Sequence, residues 1–577
     1  MAEREQETVA FYDARPWLAQ YAADVPTELE PLPDRTLVEL IRRINARYAD
    51  HTAFTICLEN GLHASLSYAD TERQSDAFAA YLSQHLGLQP GDRVAVQMPN
   101  CLAYPVAVFG VLKAGLVLVN FNPLYTAREI NLQLRDCGAR ALLLIDLFGD
   151  KLADGLRDTA VEHVLLAGIT DGFPWWKKTL IRAVLKLKGR LPAPTAPAET
   201  FQAALERGTR LLAGKAYTAA TLNREDLALL QYTGGTTGVA KGAMLTHANL
   251  LANLAQTQQI AGPVIRPGEE TVLTALPLYH IFAFTFNMMT FFMNGGHNVL
   301  CPSPRPPSNL RKAFETFPVS KFSGVNTLFY ALCQEPWFRD NPPPIDLAIA
   351  GGTALHASVA EEWKKVVGSS ICEGYGLSET SPVVTVNQPT GRIVPGSIGI
   401  PLPATDVRIV DDQGNAVPEG EHGELAVRGP QVFEGYWNRP DETAQALRDG
   451  WFLTGDVATM DADGFIRIVD RKKDMIDVSG FNVYPNEVEE VLNAHPDVSE
   501  AAVVGVPVDN GGESVRAYIV RRSESLTDAA LIEYAREQLT AYKVPREIIF
   551  RDELPKTPVG KILRKNLRQE ADTGEGG

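Results

Sequence analysis

A glycine- and threonine-rich segment, QYTGGTTGVAKG, carries the first chemistry in this sequence, because it could surround an anion. Glycines let backbone N–H groups approach an anion closely, threonine hydroxyls add donors, and a lysine adds a point charge. A phosphate-binding loop is one interpretation, and a tight turn between a strand and the next element is the other. The residues that such a loop would use are Tyr232, Thr233, Gly234, Gly235, Thr236, Thr237, Gly238 and Lys241.

The segment does not follow the phosphate-loop pattern of the large class of NTPase motors and kinases. That pattern is G-x-x-x-x-G-K-[ST], whereas Gly242 follows Lys241 here. The mismatch after Lys241 argues against a P-loop NTPase.

Three further motifs place polar side chains after apolar runs. His280 lies in PLYHIFAF, where a packed core histidine is the simpler interpretation, and Gly351 and Gly352 end a predicted strand, where they could let a flat base lie on the backbone. GYGLSET offers a ring for base stacking, a hydroxyl for a phosphate and a hard oxygen ligand for Mg²⁺. These are Tyr375, Ser378 and Glu379, respectively.

Two motifs of the last third of the chain add a carboxylate and a lysine. Asp456, in TGD, could accept both hydroxyls of a ribose, or it could be an ordinary turn residue. Lys561, in PKTPVGKILRK, follows Gly560 in a predicted turn, and a lysine near a chain end is usually only solvated.

The collinear set of motifs resembles the adenylate-forming enzymes, which include acyl-CoA synthetases, luciferases and peptide-synthetase adenylation domains. YTGGTTGVAKG is similar to their phosphate loop. DGWFLTGD, RIVDRKKDMIDVSGFNVYPNEVE and LPKTPVGKILRK look typical of bacterial long-chain fatty acyl-CoA synthetases. The resemblance covers nearly the whole chain. It implies ATP-dependent ligation of a long-chain fatty acid to coenzyme A through an acyl-adenylate, with release of AMP and pyrophosphate.

The resemblance also implies a role for each matching residue. Its substrates and cofactors would be ATP, Mg²⁺ and coenzyme A. His280 would lie beside the substrate carboxylate, Glu379 would hold magnesium, and Asp456 with Arg471 would bind the ribose. Lys561 would bridge the acyl carboxylate and the α-phosphate. Lys473 would be the hinge about which the C-terminal domain rotates between the two steps. Ser479 and Gly480 would then face the coenzyme A thiol.

Two other functions remain open at this point. An acyl-AMP ligase that loads a carrier protein would share these motifs, but such enzymes commonly carry an insertion that is not evident near Arg471. A non-catalytic lipid-binding homologue would not need Glu379, Asp456, Arg471 and Lys561 together. A luciferase-type oxygenase shares the motifs too, and nothing in the sequence marks oxygen chemistry.

Alternating strand and helix patterns would position these motifs. Strand-like runs at residues 141–146, 227–232, 272–277 and 347–350 alternate with helix-like segments such as 247–260 and 357–367. We expect an α/β protein with doubly wound sheets over residues 1–472, including a small antiparallel β subdomain at about 396–470. A mobile α+β domain is expected at residues 473–577, with helices at 486–494 and 528–539 and strands at 501–506 and 515–520.

Composition limits the partners. The 577 residues carry 54 Lys and Arg against 70 Asp and Glu, a net charge of −16, which disfavours nucleic acid as a partner. The six cysteines form no CxxC pair, and the first residues resemble no signal peptide, so we expect a reducing, cytoplasmic location. The apolar run at 101–119 contains Pro105 and Lys113 and predicts a buried helix followed by a strand. Oligomeric state stays open, with a homodimer as one alternative.

One segment interrupts this acidic chain. Residues 175–190, from Trp175 to Arg190, read WWKKTLIRAVLKLKGR, with six basic residues and no acid. Trp176, Leu180, Val184 and Leu187 would share one helical face. An interfacial helix that contacts anionic lipid at the inner face of the cytoplasmic membrane is one interpretation, and a surface helix packed on its own domain is the other.

Overall fold

The β strands of the protein fall into five sheets in a computed structural model that describes residues 2–233, 240–478, 481–508, 513–557 and 560–573. In chain order the strands of these described residues are β1 Thr52–Cys57, β2 His63–Ser67, β3 Arg93–Gln97, β4 Val117–Asn120, β5 Ala141–Ile145, β6 His163–Ala167, β7 Glu199–Thr200, β8 Leu227–Thr233, β9 Lys241–Thr246, β10 Thr271–Thr274, β11 His297–Leu300, β12 Lys321–Gly324, β13 Leu347–Ala350, β14 Ile371–Gly376, β15 Val383–Val386, β16 Ile400–Pro401, β17 Asp406–Val410, β18 Gly423–Arg428, β19 Leu447–Arg448, β20 Trp451–Met460, β21 Ile466–Arg471, β22 Ile476–Val478, β23 Phe481–Val483, β24 Val498–Pro507, β25 Glu513–Arg521 and β26 Glu547–Phe550.

The α helices of the same residues cover the sheets. In chain order they are α1 Ala2–Asp13, α2 Leu37–Arg47, α3 Tyr68–Ala80, α4 Ala103–Lys113, α5 Ala127–Cys137, α6 Leu152–Gly155, α7 Trp175–Leu187, α8 Phe201–Leu212, α9 His247–Ala261, α10 Phe291–Met293, α11 Arg311–Thr316, α12 Asn326–Gln334, α13 Pro336–Asp340, α14 Ala357–Val367, α15 Pro440–Ala446, α16 Pro485–Asn493, α17 Asp528–Gln538 and α18 Arg564–Thr573.

Two large, mostly parallel sheets form the main body, as the alternating pattern predicted. The nine-stranded sheet has the order β16-β15-β14-β13-β12-β10-β11-β1-β2, and the seven-stranded sheet has the order β7-β6-β5-β3-β4-β8-β9. Antiparallel strands occur only at their edges among the described strands: β2, β15 and β16 in the first sheet and β9 in the second. One apolar core takes side chains from both sheets, including Phe54 of β1 and Val94 of β3.

The apolar run at 101–119 forms a buried helix followed by a strand, as predicted. Every residue of α4 is buried, and β4 follows it. Lys113 is fully buried, with Nζ 2.8 Å from Asp76 and 2.7 Å from Glu72, both on α3. These carboxylates supply the partners that a buried ammonium group needs.

A five-stranded antiparallel sheet of β17 to β21 follows the main body. Its core receives Tyr12 and Trp17 from the N-terminal segment, which packs across it. Gly464 lies at φ +87°, and a Cβ there would come within 2.7 Å of Trp17. The turn at Gly464 therefore accommodates the N-terminal segment.

The C-terminal part has a hydrophobic core of its own. β24, β25 and β26 form one sheet, and α16 and α17 contribute Val488, Leu492 and Leu531 to the core beside it. The predicted α+β pattern after residue 473 is therefore present, with each predicted helix and strand within three residues of its expected bounds.

One strand is shorter than the apolar pattern indicated. The sequence predicted a strand at 272–277, but β10 ends at Thr274. The side chain of Asn100 donates to the carbonyl oxygens of Thr274 and Leu276 at 3.0 and 2.9 Å. The Thr274 carbonyl still accepts the Cys301 N–H at 3.1 Å, whereas that of Leu276, beyond the strand, accepts the Asn100 side chain.

Candidate active site

The candidate residues meet where several parallel strands end. β8 leads into the glycine- and threonine-rich segment, β13 ends just before Gly351, and β14 ends at Gly376, before Ser378 and Glu379. In open α/β sheets the carboxyl ends of the strands are where ligands bind.

Gly351 lies in a tight space, where a side chain would require its neighbours to shift. A Cβ at Gly351 would come within 3.2 Å of the Gly374 carbonyl oxygen and of the Phe282 ring. Gly352 has φ +81°, and a Cβ there would lie 4.0 Å from Cε of Lys561. Gly352 therefore lies close to Lys561, and the support of a flat base by the two glycines stays a prediction.

A carboxylate, a phenol and a guanidinium group form one cluster in this cleft. Asp456 of β20 and Arg471 of β21 are paired directly across the antiparallel ladder, with Arg471 Nε 3.4 Å from Asp456 Oδ1. The hydroxyl of Tyr375 donates to the other oxygen of Asp456. Asp456 is only 6% exposed, so the cluster holds a carboxylate in a fixed position.

Glu379 is a second buried carboxylate of the site. Its Oε1 accepts a hydrogen bond from the hydroxyl of Tyr436 at 2.7 Å. Burial raises the pKa of Glu379 above its ordinary value, against the opposing effect of the Tyr436 hydrogen bond. No lysine, arginine or histidine of the described residues lies within 4 Å of this carboxylate. A buried carboxylate of this kind is suited to act as a ligand of a metal cation.

Lys561 of the C-terminal part enters the same cleft. Its charge interacts with those of Arg471, Asp456 and Glu379, and burial, followed by Arg471, lowers the pKa of Lys561 to about 8. The turn that carries Lys561 is held by Thr557, which donates its N–H to the Lys561 carbonyl at 2.7 Å. Lys561 thus lies beside residues of the main body that are about 90 to 180 positions away in sequence.

His280 lies close enough to Lys561 for the two charges to interact. Burial and, secondarily, the Lys561 charge lower the pKa of His280 to about 4, so the imidazole is neutral at pH 7. Its Nδ1 accepts the Phe282 N–H at 3.3 Å, which leaves Nε2 as the donor. The following helical segment, Ala283–Thr290, is buried along its whole length.

The linker between the two parts runs through Lys473. Lys472 binds Asp412 at 2.7 Å and Glu424 at 3.2 Å on the antiparallel sheet, and its N–H donates to Gly455. β21 ends at Arg471 and β22 begins at Ile476, so Lys473 lies in the turn between them. The main body therefore holds the chain up to Lys472, next to the predicted hinge.

Several predicted residues receive no test from the structure. Gly234, Gly235, Thr236, Thr237, Gly238, Ser479 and Gly480 lie outside the described residues. Tyr232 is described, and its hydroxyl donates to Asp136 of α5 at 2.6 Å, so its phenol is engaged away from the cleft. The nucleotide and coenzyme A roles of all of these residues stay predictions.

Sequence reasoning did not find Tyr436 or Glu373. Tyr436 contacts Glu379, as described above, and the buried Glu373 accepts the Leu355 N–H at 3.0 Å. Neither residue belongs to a motif with evident chemistry. The available signal in the sequence was the position of Glu373 directly before GYG, within β14.

Family comparisons identify the class of protein to which this geometry belongs. The sequence model described as AMP-binding enzyme matches residues 41–437, and that of its C-terminal domain matches residues 487–561. The chain belongs to the AMP-binding enzyme family.

Individual relatives agree over almost the whole chain. A long-chain-fatty-acid–CoA ligase of Escherichia coli O6:H1 is 49% identical over 96% of this chain and 98% of its own. ATP-bound MatB of Rhodopseudomonas palustris superposes with a TM-score of 0.79 at 29% identity, over 93% of this chain and 99% of its own. The anthranilate CoA ligase AuaEII in complex with anthranoyl-AMP gives a TM-score of 0.80 at 27% identity, over 96% and 99%.

Proposed function

We propose that this protein ligates a long-chain fatty acid to coenzyme A in two steps, through a fatty acyl-adenylate, with release of AMP and pyrophosphate. The observation that carries the proposal is the entry of Lys561 into the cleft that holds Asp456 and Glu379. The similarity to the Escherichia coli long-chain-fatty-acid–CoA ligase over 96% of the chain supports the substrate class.

The first step needs positive charge, because two anions must meet. A carboxylate oxygen attacks the α-phosphorus of ATP, and pyrophosphate leaves with the electrons of the broken P–O bond. Lys561 supplies an ammonium group that can contact both the carboxylate and the α-phosphate. Asp456, held by Tyr375 and Arg471, would accept the ribose hydroxyls and so fix the α-phosphate relative to Lys561.

The neutral imidazole of His280 would orient the incoming carboxylate. Its Nε2 donor is available because Nδ1 accepts the Phe282 N–H. The buried segment Ala283–Thr290 follows directly, so an alkyl chain can extend along apolar side chains from the carboxylate position.

Glu379 fits a magnesium ion through its chemistry. It is a hard oxygen donor, 8% exposed, and no basic side chain of the described residues forms an ion pair with it. No group of three His, Cys, Asp or Glu side chains in the described ranges could hold a metal without ATP. Magnesium would therefore be held by Glu379 together with phosphate oxygens and water, and when bound it would neutralise phosphate charge.

The second step would use a different position of the C-terminal part. Coenzyme A thiolate attacks the acyl carbonyl of the adenylate and AMP leaves, a step in which Lys561 is no longer needed. Rotation about Lys473 would withdraw Lys561 and present Ser479 and Gly480, with Gly480 leaving room for pantetheine. Support for this comes from Lys472, whose ion pairs with Asp412 and Glu424 fix the chain just before the turn.

The substrate proposal is tested with an acid-length series from C4 to C20, a test range only. Each acid is incubated with ATP, magnesium and coenzyme A, and the thioester is measured by mass spectrometry. Acyl-CoA formation that is greatest for long chains supports the proposal. Transfer of the acyl group to a carrier-protein phosphopantetheine but not to coenzyme A would favour the acyl-AMP ligase, and no adenylate with any acid would favour a non-catalytic homologue.

We also propose a peripheral contact of α7 with anionic lipid. No helix within the described part of the chain is long and apolar enough to cross a membrane. α7 has no buried residue, and Trp175 and Leu187 are 80% and 88% exposed.

Other side chains of α7 contact the main body. Ile181 packs on its core, Lys178 binds Asp171, and Arg182 binds Asp146. Two of the six basic residues of segment 175–190 are thus engaged with the body.

Liposome co-sedimentation tests this contact. Reversal to Glu is made only at the basic residues without an ion pair to the body: Lys177, Lys186, Lys188 and Arg190. The control reverses four exposed basic residues elsewhere: Arg128, Arg210, Lys215 and Lys364. Loss of binding to anionic vesicles in the first variant alone supports the contact. Equal binding of both variants and the wild type, with unchanged far-UV circular dichroism, contradicts it.

A further inference from the structure

Tyr436 connects two parts of the site that are far apart in the sequence. Its hydroxyl donates to Glu379 Oε1 at 2.7 Å, and Lys241 Nζ lies over its ring, 5.1 Å from the centroid. Lys241 is the first described residue of β9 and the cation that ends the glycine- and threonine-rich segment. The hydroxyl of Tyr436 thus contacts Glu379, the candidate metal ligand, and its ring face contacts Lys241, the candidate phosphate lysine.

Backbone pairing fixes the position of Tyr436. The N–H of Trp437 donates to Gly242 at 2.8 Å, and that of Met244 donates to Gly435 at 2.9 Å, so this segment runs along β9. Phe433 donates its N–H to the carbonyl oxygen of Glu379 at 2.8 Å. The same short segment therefore holds the backbone and, through Tyr436, the carboxylate of Glu379.

A second contact restrains the Tyr436 backbone from the other side. Its N–H donates to Thr443 Oγ1 at 2.9 Å, and Thr443 in turn donates to Arg439 at 2.8 Å. The Phe433 ring meets the Tyr436 ring edge-on, with centroids 4.9 Å apart. The phenol has little freedom to leave Glu379, which is what a group that orients another side chain requires.

We propose that Tyr436 is a positioning residue that orients the Glu379 carboxylate for a divalent cation and the Lys241 ammonium for the phosphates that this cation accompanies. One hydrogen bond occupies Oε1 and directs the remaining lone pairs of the carboxylate toward the cleft. The inference rests on the proposed function, in which magnesium and ATP bind here. It assigns a role to a residue outside every motif that the sequence analysis used.

Binding of ATP with and without magnesium tests the proposal. Calorimetry gives the dissociation constant of ATP in EDTA and in excess magnesium, and the ratio of the two measures how strongly the metal promotes binding. Tyr436→Phe removes the hydroxyl and keeps the ring. We expect this variant to reduce the ratio on the order of 10-fold, the usual effect of losing a group that orients a metal ligand, with metal-free ATP binding unchanged.

Tyr436→Leu removes the ring as well. Lys241 then loses its cation–π partner, so metal-free ATP binding should weaken in addition to the loss of the magnesium ratio. Tyr21→Phe is the matched control, because it removes a phenol hydroxyl that donates to Pro401 at 2.8 Å outside the cleft. The control should keep the wild-type ratio.

A double-mutant cycle separates orientation of Glu379 from a general structural effect. In a Glu379→Gln background, Tyr436→Phe should leave the magnesium ratio unchanged, since the carboxylate it orients is gone. An unchanged ratio in Tyr436→Phe alone, or an equal loss in Tyr21→Phe, would overturn the proposal. The assay needs neither fatty acid nor coenzyme A, so a protein that binds magnesium and ATP but makes no acyl-CoA would refute the proposed function and leave this result readable.

Discussion

Asp456 and Arg471 are brought together by the register of one hairpin, and Tyr375 reaches them from another sheet. Lys561 comes from a third part of the chain. At the residue scale the site is therefore a set of charges on separate elements, in which the Lys561 ammonium group interacts with two carboxylates and one guanidinium group. Removing that ammonium should have a specific effect on the step in which anions meet.

Lys561→Ala should slow adenylate formation on the order of 10²–10³-fold, the usual cost of removing one preorganised charge that stabilises a transition state. Thiolysis of a supplied acyl-adenylate should keep the wild-type rate. Pyrophosphate release and thioester formation are measured as separate half-reactions. Equal losses in both would contradict the assignment of Lys561 to the first step only.

The protonation state of Lys561 gives an independent prediction. Burial lowers the pKa of Lys561 to about 8, so the lysine is charged below that pH and neutral above it. The charged form is the one that adenylation requires. The kcat/KM of the adenylation half-reaction should fall as pH rises through about 8. Lys561→Arg keeps its charge and should lack this decline. A decline that persists in the arginine variant would assign it to another group.

At this scale the residue types alone suggested a cation ligand at Glu379 and a ribose acceptor at Asp456, whereas the roles of Arg471 and Lys561 came from the resemblance to the adenylate-forming enzymes. The structure brings the four side chains into one cleft, and their roles stay predictions. Tyr436 was not predicted, because its contact with Glu379 depends on pairing between residues 433–437 and β9, nearly 200 positions away. The contact of Tyr232 could not be predicted for a similar reason, because its hydroxyl donates to Asp136 on α5, which is distant in the sequence.

The positions of helices and strands were predicted more consistently than the contacts of side chains. Apolar runs ending in glycine gave β8, β13 and β14, and helical periodicity gave α9 and α14. β10 was predicted too long, because beyond Thr274 the Leu276 carbonyl accepts a hydrogen bond from the side chain of Asn100, which belongs to a distant segment. The apolar pattern of residues 272–277 carries no information about Asn100, so the end of the strand could not be predicted from it.

The turn between β21 and β22 yields a prediction at the scale of an element. Lys473→Pro fixes φ near −65° and should hinder rotation about this turn. Adenylate formation should stay near the wild-type rate while thiolysis falls severalfold, the reverse of Lys561→Ala. Lys472→Pro is not a suitable control, because its N–H is bonded to Gly455, so Lys364→Ala on the exposed face of α14 serves instead. Normal thiolysis in Lys473→Pro would contradict the hinge.

The whole molecule consists of a large α/β body and a smaller part with its own core. They meet near Lys561: a Cβ at Gly560 would come within 3.2 Å of Thr327, and Arg522 lies over the Tyr330 ring at 5.6 Å. Sequence patterns predicted both parts, but not how they are placed, because no periodicity encodes the contact between two separately folded cores. The net charge of −16 is likewise uninformative about the cleft, where local geometry gathers the positive groups.

The two-step ligation is tested by measuring pyrophosphate release with ATP, magnesium and a long-chain fatty acid, with and without coenzyme A. Without coenzyme A, we expect a burst stoichiometric with enzyme that depends on the fatty acid, because the adenylate stays bound. With coenzyme A we expect continuous turnover, with equal amounts of pyrophosphate and acyl-CoA. No fatty-acid-dependent pyrophosphate, or continuous release that coenzyme A does not change, would contradict a two-step ligase.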